Sequence, residues 1–244
     1  MFAAFLLTAS LVSAEPSSGP APTGYLYRAT LVQAAPGKLL ELIEAYKTFF
    51  PILSAGGDEP PLWMRHSQGD RWDLLLLFPM ESQSEFFRPE RVARRRKEAA
   101  STASAITRLR DLTAWQEDVF VEGPPWAELK ARAGKASFFH VEMFEALSGQ
   151  RANLLREREM ENAYSKRLGR PENAIFTRES GAAWDLFTVG FYRDLKHYAE
   201  SADIPESAQE EAAKAAGFDS SRAIGPYLRS FIRLHHDTLA VAVK

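Results

Sequence analysis

Apolar positions along this chain change their period in the same order twice. Tyr25 to Gln33 is rich in aromatic and branched residues, which predicts a strand, and Pro36-Gly37 ends it. From Lys38 to Phe50 the apolar residues fall at Leu39, Leu42, Ile43, Tyr46 and Phe50, the spacing of one helix face. Leu62 to Ser67 and Arg71 to Met80 read as two strands about the tight turn "QGD", a hairpin with Gly69 at the turn. Glu81 to about Arg110 reads as helical with a break near Pro89, and "TAWQEDVFVEG" supplies a fourth strand.

The second pass begins at Ser137. Ser137 to Glu145 predicts a strand, and Gln150 to Leu168 a helix whose apolar stripe is less clean than in the first pass. Ala174 to Glu179 and Ala183 to Tyr192 form a second hairpin. A split helical region follows, and "HHDTLAVAV" closes the unit. At the spacing of Gly69 to Gly181 the two passes align without a gap from Tyr25 to Met80. The matches include Ala34 with Ala146, Gly37 with Gly149, Leu42 with Leu154 and Gly57 with Gly169, then Trp72-Asp73-Leu74 with Trp184-Asp185-Leu186. These matches keep station with the same predicted elements, which is the mark of an internal duplication.

The order β-α-β-β-α-β, twice, is that of a ferredoxin-like unit. The expected organisation is a first repeat over 24–123, a linker over 124–136 and a second repeat over 137–244. Leu74 to Leu77 are apolar on both strand parities, so that strand needs cover on both faces. The expected α+β fold is therefore two tandem units whose antiparallel sheets pack face to face into a barrel with helices outside. This resembles the dimeric α+β barrel superfamily in a fused tandem form. The resemblance implies a range of activities and no single one, because the superfamily includes small monooxygenases acting on aromatics, haem-dependent peroxidases, chlorite-decomposing enzymes and muconolactone-isomerase-like proteins.

Composition narrows the chemistry. No cysteine is present, which excludes disulfides, thiolate catalysis and cysteine metal sites. A net charge of -2 gives no electrostatic case for nucleic acid. The basic run "ERVARRRKEAA" reads as a solvated helix face. "MFAAFLLTASLVSA" has the apolar run and small final residues of a signal peptide, and the polar stretch up to residue 23 reads as a flexible leader, so an exported, periplasmic or secreted protein is expected. No later run is long enough for a transmembrane segment. Monomer and homo-oligomer both stay open.

Strand parity nominates the site. Phe139, Val141 and Met143 are expected to face the helices, which puts His140 and Glu142 toward the barrel interior, with Arg28 and Thr30 at the matching positions of the first copy. His236, flanked at its own parity by small residues, is expected inside, and His235 against helices. His140, Glu142 and His236 are the catalytic candidates, and Arg28, Thr30, His66, Arg178, Trp72 and Trp184 the ligand-binding ones. Asp73 and Asp185, each after a tryptophan, are expected to bond backbone N–H groups. No cofactor is called for by a motif. A divalent metal at His140, Glu142 and His236, or a haem through a proximal histidine, are the cofactor readings left open. The expected role is an exported protein binding a small hydrophobic or aromatic molecule in a cavity between the sheets. The alternatives are a monooxygenase-, isomerase- or peroxidase-like enzyme with a histidine base, acting on a small aromatic or anionic substrate, and a scaffold with a solid core.

Overall fold

The computed structural model describes residues 24–243, so the signal peptide and leader expected before Gly24 lie outside the described residues. The first repeat runs β1 (Tyr25–Ala34), α1 (Leu39–Ala55), β2 (Leu62–Gln68), β3 (Leu74–Glu81), α2 (Gln83–Phe86), α3 (Pro89–Lys97), α4 (Ala99–Asp111) and β4 (Thr113–Gly123). After α5 (Trp126–Ala133) the second runs β5 (Phe138–Ala146), α6 (Arg151–Arg167), β6 (Ala174–Ser180), β7 (Leu186–Tyr192), α7 (Leu195–Ala199), α8 (Glu206–Ala216), α9 (Ile224–Arg229) and β8 (Ile232–Ala242). Within each copy the strands pair antiparallel in the order β4-β1-β3-β2 and β8-β5-β7-β6.

The expected pair of separate sheets packed face to face is corrected by the hydrogen bonding. One continuous sheet runs β1-β3-β2-β8-β5-β7-β6-β4 and returns to β1 as a closed barrel. The copies are stitched at two seams, β2 to β8 (Met64 beside Ala242, His66 beside Ala240) and β4 to β6 (Val121 beside Arg178). Joining the sheets side by side pairs the outer N–H and C=O groups that two stacked sheets would leave bare.

The repeated glycines and aspartates serve these seams. Gly69 (φ 127°) and Gly181 (φ 115°) bring each hairpin onto the closing strand of the other copy. A Cβ on Gly69 would sit 2.2 Å from the Asp237 carbonyl, and one on Gly181 2.8 Å from the Asp118 carbonyl. Asp73 and Asp185 each accept the backbone N–H of the last residue of the first strand, Ala34 and Ala146, at 2.8 Å.

The barrel interior is filled with rings. Phe176 stacks on Phe187 at 4.5 Å, Tyr27 meets Phe176 edge-on at 5.5 Å, and Phe139 meets Phe191 at 5.6 Å. Tyr27, Ala29, Leu31, Phe139, Val141 and Met143 all belong to this interior cluster. The parity expected for β1 and β5 is therefore reversed: His140, Glu142, Arg28 and Thr30 face the helices. Side-chain size misleads here, because the barrel centre and the layer under the helices both take large apolar groups. Packed rings fill the barrel centre, and the expected cavity is confined to one barrel end, beside Trp72 and Trp184.

Under α1 the sheet face is apolar, with Val32, Leu74, Leu76 and Phe78 against Leu42, Ile43, Tyr46 and Phe50. Under α6 the apolar patch shrinks to Phe144, Leu154, Leu186 and Leu228. One barrel end is plugged by α5, which puts Trp126 and Leu129 into the interior cluster. The basic run is partly pinned rather than solvated: Arg91 and Arg95 both bond Asp58, at 2.9 and 2.7 Å. Among the described residues no helix is long and apolar enough to cross a membrane.

Candidate functional site

The sheet face beneath α6 and α7 gathers the chemistry. Register sets Glu142 of β5 beside Asp237 of β8 on one side and Thr188 of β7 on the other, with His140 one pleat away on the same face. His140 Nε2 lies 3.1 Å from Asp237 Oδ1, and His235 Nε2 lies 3.1 Å from Asp237 Oδ2. One carboxylate thus bridges two imidazoles. His235 in turn stacks on Phe144 at 5.9 Å, and His140 lies against Tyr198 at 5.3 Å.

Glu142 is buried behind this pair. Thr188 donates to its Oε2 at 3.3 Å, and Arg158 of α6 reaches the same oxygen at 3.5 Å. Arg158 is itself buried. It donates twice to Glu157, at 2.6 and 2.9 Å, pairs with Glu161, and lies 4.8 Å over the Phe144 ring. Such a group is tolerated in a dry layer only because its donors are met.

These neighbours set the proton affinities. Burial pushes the Glu142 carboxyl up to about 7, against the pull of Arg158 and with the push of Glu161. For His140, burial works to lower the proton affinity, but the Asp237 hydrogen bond and the Glu142 charge outweigh it and the net direction is up. The His140 hydrogen bond holds Asp237 below the ordinary carboxylate range, against its partial burial. The cluster is graded: Asp237 is exposed, His140 partly covered and Glu142 buried. One ligand atom from each of His140, Glu142 and Asp237 lies within 4.8 Å of the others, close enough to hold a metal ion.

The expected trio of His140, Glu142 and His236 is not assembled. His236 is on the interior parity of β8, as expected, at the open end of the barrel beside Asp70 (3.2 Å). Asp237 takes its place in the cluster. Arg28 and Thr30 do mark the equivalent spot in the first copy, where Thr30 donates to Asp118 at 2.5 Å and Arg28 lies 4.5 Å over Phe78. Asp118 there is the counterpart of Asp237, so the first copy keeps the acid and lacks the histidines. His66 packs edge-on against Trp72 at 5.9 Å, and Arg178 pairs with Asp185 at 2.7 Å. Trp72 and Trp184 wall the open barrel end. Asp237, Arg158, Tyr198 and Thr188 were missed as site residues. The signal for Arg158 was the unclean stripe of α6, which left its sheet face without an apolar partner.

No protein-family model matches the chain, and no curated protein matches it in sequence. Solved structures do match in shape. An anthrone oxidase-like protein superposes with a TM-score of 0.57 at 12% identity, covering 91% of this chain and 92% of its own. A putative monooxygenase from Lactobacillus acidophilus NCFM gives 0.53 at 8% identity, covering 89% of this chain and 93% of its own. One from Fusobacterium nucleatum subsp. nucleatum ATCC 25586 gives 0.53 at 9% identity, covering 91% and 93%. At these identities the likeness is one of fold.

Proposed function

We propose that the protein is an enzyme that moves protons on a small aromatic or anionic substrate, with His140 as general base. The observation that carries this reading is the His140–Asp237–Glu142 cluster. An imidazole of raised proton affinity is oriented by one carboxylate and stands beside a second, buried carboxyl that titrates near neutrality. A base and an acid poised near the working pH are what proton transfer requires. Asp237 steadies the imidazolium once the proton has arrived, and Glu142, neutral below about pH 7, is a donor for its return.

The fold neighbours' names suggest the first probe. Anthrone carries an acidic ring C–H set across from a carbonyl, so its deprotonation tests a base directly, and oxygen uptake follows the resulting carbanion. Oxygen consumption with anthrone is expected to rise with pH through the His140 titration. His140→Ala is expected to lower it by about 10²–10⁴-fold, and Asp237→Asn by less, with the pH profile displaced to lower pH. Unchanged turnover in His140→Ala, with only a lower melting temperature, would assign the histidine a structural role and sink the reading.

A divalent metal at His140, Glu142 and Asp237 is the second reading, favoured by the closeness of their ligand atoms. Against it, Arg158 already supplies a positive charge at Glu142, and His140 and Asp237 are satisfied by each other. Calorimetric titration with Mn²⁺ and Zn²⁺ separates the two. Saturable binding that His140→Ala removes, together with activity lost to a chelator, favours the metal. Activity indifferent to the chelator favours proton transfer alone.

A further inference from the structure

The open end of the barrel, opposite the α5 plug, holds a cavity of about 260 Å³ on the far face of the sheet from His140. It lies where the two copies meet. Trp72 of the first and Trp184 of the second occupy equivalent positions in its wall, and Leu31 and Met143 in its floor. Both tryptophans are deeply buried, at 1% and 8% exposure. Neither indole N–H has a formed hydrogen bond. Both nitrogens are closed off from solvent, and that of Trp184 lies toward the Glu117 carboxylate, so the rings and not their N–H groups wall the cavity.

The rest of the lining says what the cavity suits. Trp115 adds a third indole, with the Arg71 guanidinium stacked 4.4 Å over it. At the rim Asp70 lies 3.2 Å from His236, and Glu145 pairs with Arg233. Burial raises the Glu117 carboxyl, and the nearby Arg71 charge and Trp184 indole pull it back only in part, although that indole falls short of a formed bond. Aromatic walls favour a flat body, and the carboxylates of Asp70, Glu117 and Glu145 disfavour an anion on it. The volume limits it to one or two rings.

We propose that this barrel mouth is a binding site, separate from the His140 cluster, for a small, flat, uncharged aromatic molecule. Its probe is coumarin, a neutral two-ring lactone. Titration of the full chain, followed by tryptophan fluorescence and by calorimetry, is expected to show saturable one-to-one binding. Trp184→Phe shrinks the aromatic wall and is expected to weaken binding by about tenfold. Ala183→Trp, at an exposed rim position, fills the mouth and is expected to abolish binding with the circular dichroism spectrum unchanged. His140→Ala is expected to bind coumarin as the wild type does, so this site and the proton-transfer reading fail independently. Absence of saturable binding, binding that survives Ala183→Trp, or loss in His140→Ala would each overturn the proposal. Tighter binding of 2-naphthoate than of coumarin would overturn the uncharged occupant.

Discussion

Glu142 and His140 make stability depend on pH in the same sense. The Glu142 carboxyl has an ordinary value of 4.5 and is pushed up to about 7 by burial. Between those values the folded protein keeps a proton that the unfolded chain has released, so stability falls as pH rises across that window. His140 is raised too, chiefly by Asp237 and Glu142 against its burial. Its contribution is full below the ordinary value of 6.5 and is lost as pH rises through the folded value. Asp237 is lowered, so its contribution is present above 3.8 and is lost in stronger acid. Urea unfolding of the wild type from pH 4.5 to 7.5 should therefore show declining stability, and Glu142→Gln should flatten the slope. An equal slope in the variant would place the pH dependence elsewhere. Arg158→Met is a harsher change. It strands the fully buried Glu157 carboxylate, and a loss of about 3–5 kcal/mol is expected by the same measurement.

At the scale of elements, α1 and α6 show what the sequence made legible. Leu39, Leu42, Ile43, Tyr46 and Phe50 announce both the helix and its apolar sheet face. The sequence of α6, "RANLLREREMENAYSKR", announces the helix but not its partner, because it turns Glu157 and Arg158 inward. That pairing requires a polar sheet face beneath, which β5 offers through His140 and Glu142 together with Thr188 of β7 and Asp237 of β8. Alternation along β5 fixes which residues share a face, but not which face meets the helix. Two equally patterned parities differ only in what lies opposite, and a single strand does not encode that. Helix α5 was read as linker because eight residues with two apolar anchors look like a connection. Leu129→Ala, nominally in that linker, is expected to cost about 2–5 kcal/mol in chemical denaturation, as for any filled core position. The hairpin glycines give a graded pair. Gly69→Ala and Gly181→Ala should each cost at least about 1 kcal/mol, Gly69→Ala the more, since its Cβ would meet a carbonyl at 2.2 Å rather than 2.8 Å. Melting temperatures of the two variants test that order.

For the whole molecule, duplication and element order were readable because glycine, tryptophan and aspartate recur at fixed spacing. The seams were not, because β2 with β8 and β4 with β6 are pairings between distant segments of ordinary composition. They have a thermodynamic signature. Two repeats that share one sheet and one interior should unfold together. Labels placed one in each repeat should report one urea midpoint. Two separated midpoints would mean that each repeat holds its own core.

The ring of strands has a further consequence. A flat sheet ends in two edge strands whose bare backbone groups recruit strands from other chains, and natural proteins spend charges, bulges and prolines to blunt them. Here β1 has neighbours on both sides, as does every other strand of the ring. Among the described residues templated strand addition has no open strand edge to start from, so assembly through them must use helices and loops. Fibrillar aggregation must wait until a seam has opened.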